Sequence, residues 1–222
     1  MEEEDTINLN PCELGTKSYW DSAYETEIKN YLDNGDIGEI WFDESSQTRI
    51  IKWLNKQDTS KDASIIDLGT GNGAMLFELS EAEYTNLTGV DYSEKSIELA
   101  QKIAIDQDQP HITFKVCDLL ADVTELGRFD VCHDKGTFDA IGLMNDAFDK
   151  KEIYTKNVFD LLNDKGLFII TSCNFTELEL TKSFSNYFDK FEVIPSQTFQ
   201  FGGKVGKTTT SICFKKKETL SK

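Results

Sequence analysis

The sequence predicts an α/β fold in which a mostly parallel sheet is covered by helices on both faces. Three observations lead to this prediction: a glycine-rich turn at 69–73 follows an apolar strand, strands and helices then alternate, and the alternation breaks near the C-terminus. Strands that alternate with helices indicate parallel pairing. The last two strands, at 191–194 and 208–214, are joined by a loop rather than a helix. We therefore expect five parallel units followed by an antiparallel β-hairpin.

The glycine-rich turn has the pattern D-x-G-x-G-x-G, in which Asp67 precedes Gly69, Gly71 and Gly73. Glycines without a Cβ allow the backbone to approach a ligand closely. Dinucleotide-binding enzymes use G-x-G-x-x-G without a preceding acid, because the pyrophosphate sits at the helix N-terminus. A carboxylate would repel a pyrophosphate but suits the ammonium end of S-adenosylmethionine. The pattern therefore predicts a methyltransferase cofactor loop, followed by a helix over 74–79.

The remaining elements follow from hydrophobic periodicity and capping residues. Apolar or alternating runs predict further strands at 86–91, 111–117, 128–133 and, after a turn at Lys165–Gly166, at 167–170. Helical spacing predicts helices over 44–55, from the N-cap Ser93 to about Ile103, across Ile153–Leu162, and over 176–188. The stretch 19–42 is aromatic, acidic and less regular. We expect one domain over 1–222, with a segment 1–42 that covers the site and a core at 43–222.

Composition excludes several classes of protein. The net charge of −17, from 23 Lys and Arg against 40 Asp and Glu, argues against a nucleic-acid substrate. It fits a small-molecule substrate or a basic protein partner. No apolar stretch is long enough to span a membrane, and the acidic start at 1–5 is unlike a signal peptide. Five cysteines without a C-x-x-C pair indicate a reduced, cytoplasmic protein without a metal site.

Four acids lie at or just after four successive strand ends, where ligands bind in open α/β sheets. We expect Asp67, with Gly69 and Gly71, to face the methionine part of the cofactor, and Asp91 to accept hydrogen bonds from both ribose hydroxyls. The segment Cys117-Asp118-Leu119 follows the third strand, where Asp118 can accept from the adenine amino group. Asp134 ends the fourth strand, nearest the sulfonium. The predicted cofactor contacts also include Trp20 and Tyr92.

Two motifs, D-K-G-T-F-D-A at 134–140 and S-C-N-F-T at 172–176, resemble signatures of the seven-β-strand (class I) protein-lysine methyltransferases. The segments 19–24, 38–42 and 201–203 are similar to those of the members that methylate translation elongation factor 1-alpha. The resemblance runs from about residue 14 to 214. It implies a Rossmann-like seven-stranded fold, S-adenosyl-L-methionine as cofactor with S-adenosyl-L-homocysteine as product, and elongation factor 1-alpha as protein substrate. Independently of the resemblance, nothing in the sequence indicates more than a monomer. Two departures are Asp43, where the family commonly has Gly, and Phe175, where it commonly has Trp.

Lysine methylation requires a neutral amine, and deprotonation at pH 7 costs about 4–5 kcal/mol for a reference pKa near 10.4. An apolar channel lowers this cost by disfavouring the ammonium. We expect Asp134 and the backbone of Lys135, Gly136 and Thr137 to orient the amine. The channel wall is expected to comprise Trp41, Phe42, Asn174 and Phe175.

Structural roles compete with these assignments. The aromatic residues Trp20, Trp41 and Phe42 could each simply pack the N-terminal segment over the sheet. Lys135 could be an exposed turn residue, and Asn174 could be an N-cap.

Two other functions stay open at this point: methylation of a small metabolite, and a non-catalytic subunit that binds S-adenosylmethionine for a partner. The intact Asp67, Asp91 and Asp134 count against the second. An NAD-linked dehydrogenase is disfavoured, because the glycine pattern differs and no separate substrate domain exists.

Overall fold

The computed structural model describes residues 9–196, 198–201, 204–207 and 209–217. The strands, in chain order, are β1 Ser64–Leu68, β2 Asn86–Asp91, β3 Thr113–Val116, β4 Phe129–Lys135, β5 Leu162–Ser172, β6 Phe188–Ile194, β7 Thr198–Phe201, β8 Lys204–Lys207 and β9 Thr210–Lys216. The α-helices are α1 Lys17–Asn34, α2 Asp43–Lys56, α3 Ala74–Glu81, α4 Glu94–Asp106, α5 Thr137–Gly142, α6 Ala147–Leu161 and α7 Glu177–Phe184.

Seven of these strands form one sheet in the order β3-β2-β1-β4-β5-β9-β6. The first five pair in parallel, as the alternation of strands and helices predicts. Strand β9 lies between β5 and β6 and is antiparallel to both, which confirms the predicted C-terminal pairing. A separate two-stranded antiparallel sheet, β7 with β8, lies between β6 and β9 in the chain and was not expected.

Apolar side chains cover both faces of the sheet. One cluster packs the face that includes Ile65, Val131 and Ile169 against helices such as α2, α3 and α4. The other packs the opposite face against α5, α6 and α7 and is rich in phenylalanine. Both faces of the parallel strands are covered by packed side chains. A ligand site is therefore expected at the C-terminal edge of the sheet, where the strands end in polar residues.

The expectation of a less regular stretch at 19–42 is wrong, because α1 is a regular helix of 18 residues. Thr16 caps its N-terminus by accepting from the backbone N–H of Tyr19, and Gly35 ends it in the left-handed region at φ 71°. Only Tyr24 and Ile28 of this helix are buried. A helix that buries so little carries almost no apolar periodicity, so the pattern could not reveal it.

Element boundaries also differ from the prediction, most clearly at β5 and α7. Strand β5 begins at Leu162 and contains Lys165–Gly166 in an irregular stretch of the ladder, where the register with β4 shifts between Phe129 and Val131. Helix α7 is shorter than the predicted 176–188, and Thr176 caps it through a capping box with Glu179. Asn174 is therefore not the N-cap.

Within the described residues, no helix is long and apolar enough to cross a membrane. All five cysteines are free.

Candidate active site

A cavity of about 410 Å³ opens at the C-terminal ends of the parallel strands. Its wall combines α1, the segment before α2, the glycine loop, the ends of β2 and β4, the loops after β3 and β5, and α5. Most of the predicted site residues border it: Trp20, Trp41, Phe42, Gly69, Gly71, Asp91, Tyr92, Cys117, Asp118, Leu119, Lys135, Gly136, Thr137 and Asn174. Three predicted residues, Asp67, Asp134 and Phe175, do not border it.

The glycine loop borders the cavity, and a side chain at Gly69 or Gly71 would collide with neighbouring residues. Gly69 and Gly71 have φ of 74° and 57°, and a Cβ on Gly69 would lie 2.0 Å from Oγ1 of Thr137. A Cβ on Gly71 would lie 2.8 Å from the hydroxyl of Tyr24. The loop contributes close approach rather than free donors, since the N–H groups of Gly69 and Thr70 already donate to Val90 O at 2.8 and 2.9 Å.

Asp91 is a buried acceptor at the end of β2. Its Oδ1 accepts from Ser93 N at 2.9 Å and its Oδ2 from Gly71 N at 3.1 Å, so the carboxylate also anchors the glycine loop. Burial raises the pKa of Asp91 to about 6, although these two backbone donors oppose the shift. Each oxygen retains acceptor capacity. The position therefore suits a ligand that offers two hydroxyl donors.

The loop after β3 provides the second acceptor. Asp118 is exposed, and its Oδ1 accepts from Leu120 N at 2.9 Å. Cys117 N donates to Asp91 O at 2.8 Å, which joins this loop to the end of β2. Burial, followed by Asp91, raises the pKa of Tyr92, so its phenol is neutral at physiological pH. The predicted adenosine contacts therefore lie together along one side of the cavity.

Asp67 is buried and does not border the cavity. Its Oδ1 lies 2.7 Å from Nδ1 of His133, the residue it faces across the β1–β4 ladder. Paired residues on neighbouring strands point to the same face of the sheet, so the imidazole of His133 contacts the carboxylate of Asp67. Asp67 supports the start of the glycine loop from the side away from the cavity. Its direct contact with the methionine part of the cofactor stays a prediction, which this geometry does not support.

Asp134, which we expected to orient the amine, likewise does not border the cavity. Its carboxylate is fully buried and accepts from the backbone N–H groups of Thr137 and Phe138 and from the hydroxyl of Tyr154. Burial raises the pKa of Asp134 to about 8, and the hydrogen bond from Tyr154 opposes this shift. Asp134 therefore holds the first turn of α5, which borders the cavity through Thr137.

Lys135 fastens the segment before α2 to the sheet. Its Nζ donates to the backbone oxygen of Trp41 at 2.8 Å, which excludes the role of an exposed turn residue. Burial lowers the pKa of Lys135, and Asp67 and Asp134 oppose that shift. The same segment brings the rings of Trp41 and Phe42 to the cavity wall, with centroids 6.3 Å apart.

The predicted channel residue Phe175 belongs to the core instead. It is 4% exposed, and its ring centroid lies 5.2 Å from that of Phe138. A Cβ on Gly142 would lie 2.9 Å from this ring, so the ring is tightly enclosed. The neighbouring Asn174 does border the cavity, and its backbone N donates to Asp139 at 2.7 Å.

Several residues of the cavity wall were not predicted as site residues, among them Tyr24 and Asp139. Tyr24 closes over Gly71 from α1, and burial raises its pKa well above the ordinary value. Asp139 lies in the first turn of α5 and is 5% exposed. The sequence feature that could have identified Asp139 is its place in the motif at 134–140. For Tyr24 it is the aromatic segment at 19–24.

A family model described as a methyltransferase domain matches residues 59–214. EEF1A lysine methyltransferase 2 of Danio rerio is 45% identical over 206 residues, which cover 92% of this chain and 88% of that protein. The chain belongs to this family of protein-lysine N-methyltransferases. Another member, the protein-lysine N-methyltransferase EFM4 of Saccharomyces cerevisiae, is 39% identical over 224 residues, covering 95% of this chain and 98% of that one.

Solved structures support the class I methyltransferase fold of the family. A magnesium protoporphyrin IX methyltransferase from Synechocystis, solved with bound SAM, has a TM-score of 0.59 and 16% identity, covering 86% of this chain and 96% of that one. A TehB-like SAM-dependent methyltransferase from Corynebacterium glutamicum has a TM-score of 0.61 and 18% identity, covering 89% and 98%. The cofactor of this family is S-adenosylmethionine.

The residues of this cavity fit that cofactor. The wall that only glycine can form admits a ligand at close range, and the buried Asp91 keeps acceptor capacity on both oxygens. The acidic residue Asp118 also borders the cavity, which favours a cationic ligand over a pyrophosphate.

Proposed function

We propose that this protein transfers methyl groups from S-adenosylmethionine to a lysine side chain of translation elongation factor 1-alpha. The observation that carries the proposal is the similarity, over nearly the whole chain, to proteins named EEF1A lysine methyltransferase 2. The acidic, aromatic-walled cavity supports it, because a lysine ammonium is attracted by the charge and destabilised by the apolar wall.

The proposed cofactor contacts are shared among three strand ends. Asp91 accepts from the ribose hydroxyls, Asp118 from the adenine amino group, and the wall formed by Gly69 and Gly71 admits the methionine part. Asp67 and Asp134 act behind this wall, through His133 and the first turn of α5 respectively. The alignment of the two reactants is the main task of such a site.

S-adenosylmethionine, when bound, supplies an electrophilic methyl group. The residues of the chain must therefore make the lysine amine neutral, exclude water and hold the amine in line. Deprotonation at pH 7 costs about 4–5 kcal/mol from a reference pKa near 10.4. Trp41 and Phe42 lower this cost by disfavouring the charged form, and the bond from Lys135 to Trp41 O keeps both rings at the cavity. A strong general base is not required, since the proton can leave to water before attack.

We further propose that the protein acts in the cytoplasm as a monomer, without nucleic-acid or membrane contacts. Translation takes place in that compartment, which supports the location. The net charge of −17 supports a basic protein surface as partner and disfavours nucleic acid.

The proposal is tested with purified protein, labelled S-adenosylmethionine and a lysate from cells that lack the endogenous enzyme. We expect one labelled protein, identified by mass spectrometry as elongation factor 1-alpha, and no label with Asp91→Ala. A matched control is Asp122→Asn, because Asp122 caps a surface turn through Thr124 N and lies away from the cavity. Label on small molecules, or tight cofactor binding without any labelled protein, would contradict the proposal.

A further inference from the structure

Asp139 has one carboxylate oxygen that no described residue satisfies. Its Oδ1 accepts from Ser172 Oγ at 2.9 Å, and from the backbone N–H groups of Cys173 and Asn174 at 3.2 and 2.7 Å. Its Oδ2 is buried and has no hydrogen-bond partner among the residues that the structure describes. A buried carboxylate oxygen without a donor is costly and calls for an explanation.

Asp139 lies on the side of the cavity opposite to the proposed adenosine contacts. In the sheet, β1 separates β2 and β3 from β4 and β5. Asp91 and Asp118, the proposed ribose and adenine contacts, belong to the β2–β3 side. Asp139 follows β4 on α5 and contacts the loop after β5, and it borders the same cavity. A cofactor held by Asp91 and Asp118 leaves this other side for the methyl acceptor.

Among the described residues, the groups nearest to this site do not satisfy Oδ2. The half-buried cation Lys135, at the end of β4, donates instead to Trp41 O at 2.8 Å. The thiol of Cys173 donates to Oδ1 at 3.6 Å, and burial, followed by Asp139, raises the pKa of this thiol to about 11. The thiol is therefore neutral at physiological pH and is a poor nucleophile. Oδ2 is left as an acceptor for a donor that enters from the cavity.

We propose that Oδ2 of Asp139 binds the side-chain nitrogen of the target lysine. This inference rests on the proposed function and adds to it the residue that receives the acceptor amine. Asp139 attracts the ammonium as the lysine enters, one ammonium proton leaves to water, and the carboxylate then accepts a hydrogen bond from the neutral amine. The hydrogen bond from one amine N–H to Oδ2 fixes the direction of the lone pair on the lysine nitrogen. The other oxygen, Oδ1, keeps the loop 172–174 in place.

Two substitutions separate substrate binding from loop support. Asp139→Asn keeps the shape and one acceptor for the loop but places a donor where the amine would bind. Asp139→Glu keeps the charge and disturbs the shape. If the carboxylate recognises an amine, the Asp139→Glu variant should retain more activity than the Asp139→Asn variant. A purely structural role predicts the opposite order.

The measurement is steady-state methylation of elongation factor 1-alpha, with calorimetric binding of S-adenosylmethionine and thermal unfolding for each variant. We expect Asp139→Asn to lower kcat/KM for the protein substrate about 10- to 100-fold, the loss of one hydrogen bond to a charged group. Its cofactor affinity and unfolding temperature should match those of the wild type. Ser172→Ala, which removes one donor to Oδ1 and leaves Oδ2 unchanged, should lower kcat/KM by less than about threefold.

Three results would overturn the inference. The first is a wild-type kcat/KM in the Asp139→Asn variant. The second is an equal loss of kcat/KM in Asp139→Asn and Ser172→Ala. The third is a higher activity in Asp139→Asn than in Asp139→Glu. Failure of the proposed function is distinguishable, because the wild-type protein would then leave elongation factor 1-alpha unmethylated while still binding S-adenosylmethionine.

Discussion

Substitution of Asp91 by alanine should weaken cofactor binding more than any other single carboxylate change at the cavity. The carboxylate is buried, anchors Gly71 N at 3.1 Å, and retains acceptor capacity for two ribose hydroxyls. Hydrogen bonds to a charged group contribute about 1.5–3 kcal/mol each. The loss of two such bonds therefore raises the Kd for S-adenosylmethionine at least about 100-fold.

Isothermal titration calorimetry provides the assay, with thermal unfolding to confirm that the variant folds. Asp118→Asn is the matched control, because this carboxyl is exposed and its hydrogen bond should change affinity only about 2- to 10-fold. Since the pKa of Asp91 is raised to about 6, wild-type affinity should also weaken as the pH falls below that value. A folded Asp91→Ala protein with less than about a threefold change in Kd would refute the reasoning.

Three further predictions concern residues in the cavity wall or directly behind it. Gly69→Ala should abolish cofactor binding and lower the unfolding temperature, because the added Cβ would lie 2.0 Å from Thr137 Oγ1 at φ 74°; unchanged binding would contradict the close-approach argument. Lys135→Met should release the segment around Trp41, seen as faster hydrogen exchange over 36–42 than in the wild type, and equal exchange would count against the anchor. The pKa of Asp134 is raised from 3.8 to about 8, so between these values the folded protein binds more protons than the unfolded chain. The free energy of unfolding should therefore fall as pH rises through this window, and Asp134→Asn should flatten the dependence; parallel curves for the two proteins would refute this.

The sequence predicted the fold best where strong local signals agree. Strand β2 at Asn86–Asp91 and the N-cap at Ser93 have the predicted positions, because an apolar run and a capping residue define them without help from distant contacts. Helix α1 was missed since it buries only Tyr24 and Ile28. The hairpin of β7 and β8 was missed because the whole stretch was interpreted as a loop.

The site was predictable in its location but not in the orientation of each carboxylate. The placement of polar residues near strand ends follows from alternation alone, and it identified Asp91 and Asp118. Whether a strand-end acid turns to the cavity depends on its partner across the ladder, as for Asp67 with His133, and on the turn that follows, as for Asp134. The importance of Asp139 emerges only when the loop after β5 folds against α5, a contact between residues distant in sequence.

Backbone conformation also explains one departure from the family pattern. Asp43, where the family commonly has glycine, has φ of 64°. Its side chain accepts from Ser45 Oγ at 2.6 Å and from Ser46 N at 3.0 Å. Aspartate is among the residues that tolerate the left-handed region, because its short side chain forms such local hydrogen bonds.

The most direct test of the proposed function is to incubate purified, unmethylated elongation factor 1-alpha with the protein and S-adenosylmethionine. Tandem mass spectrometry then maps every modified residue, with Asp91→Ala as the inactive control. The account predicts methyl groups on the side-chain nitrogen of a lysine, present with the wild type and absent with the control. An unmodified elongation factor, under conditions in which calorimetry shows the cofactor bound, would contradict it.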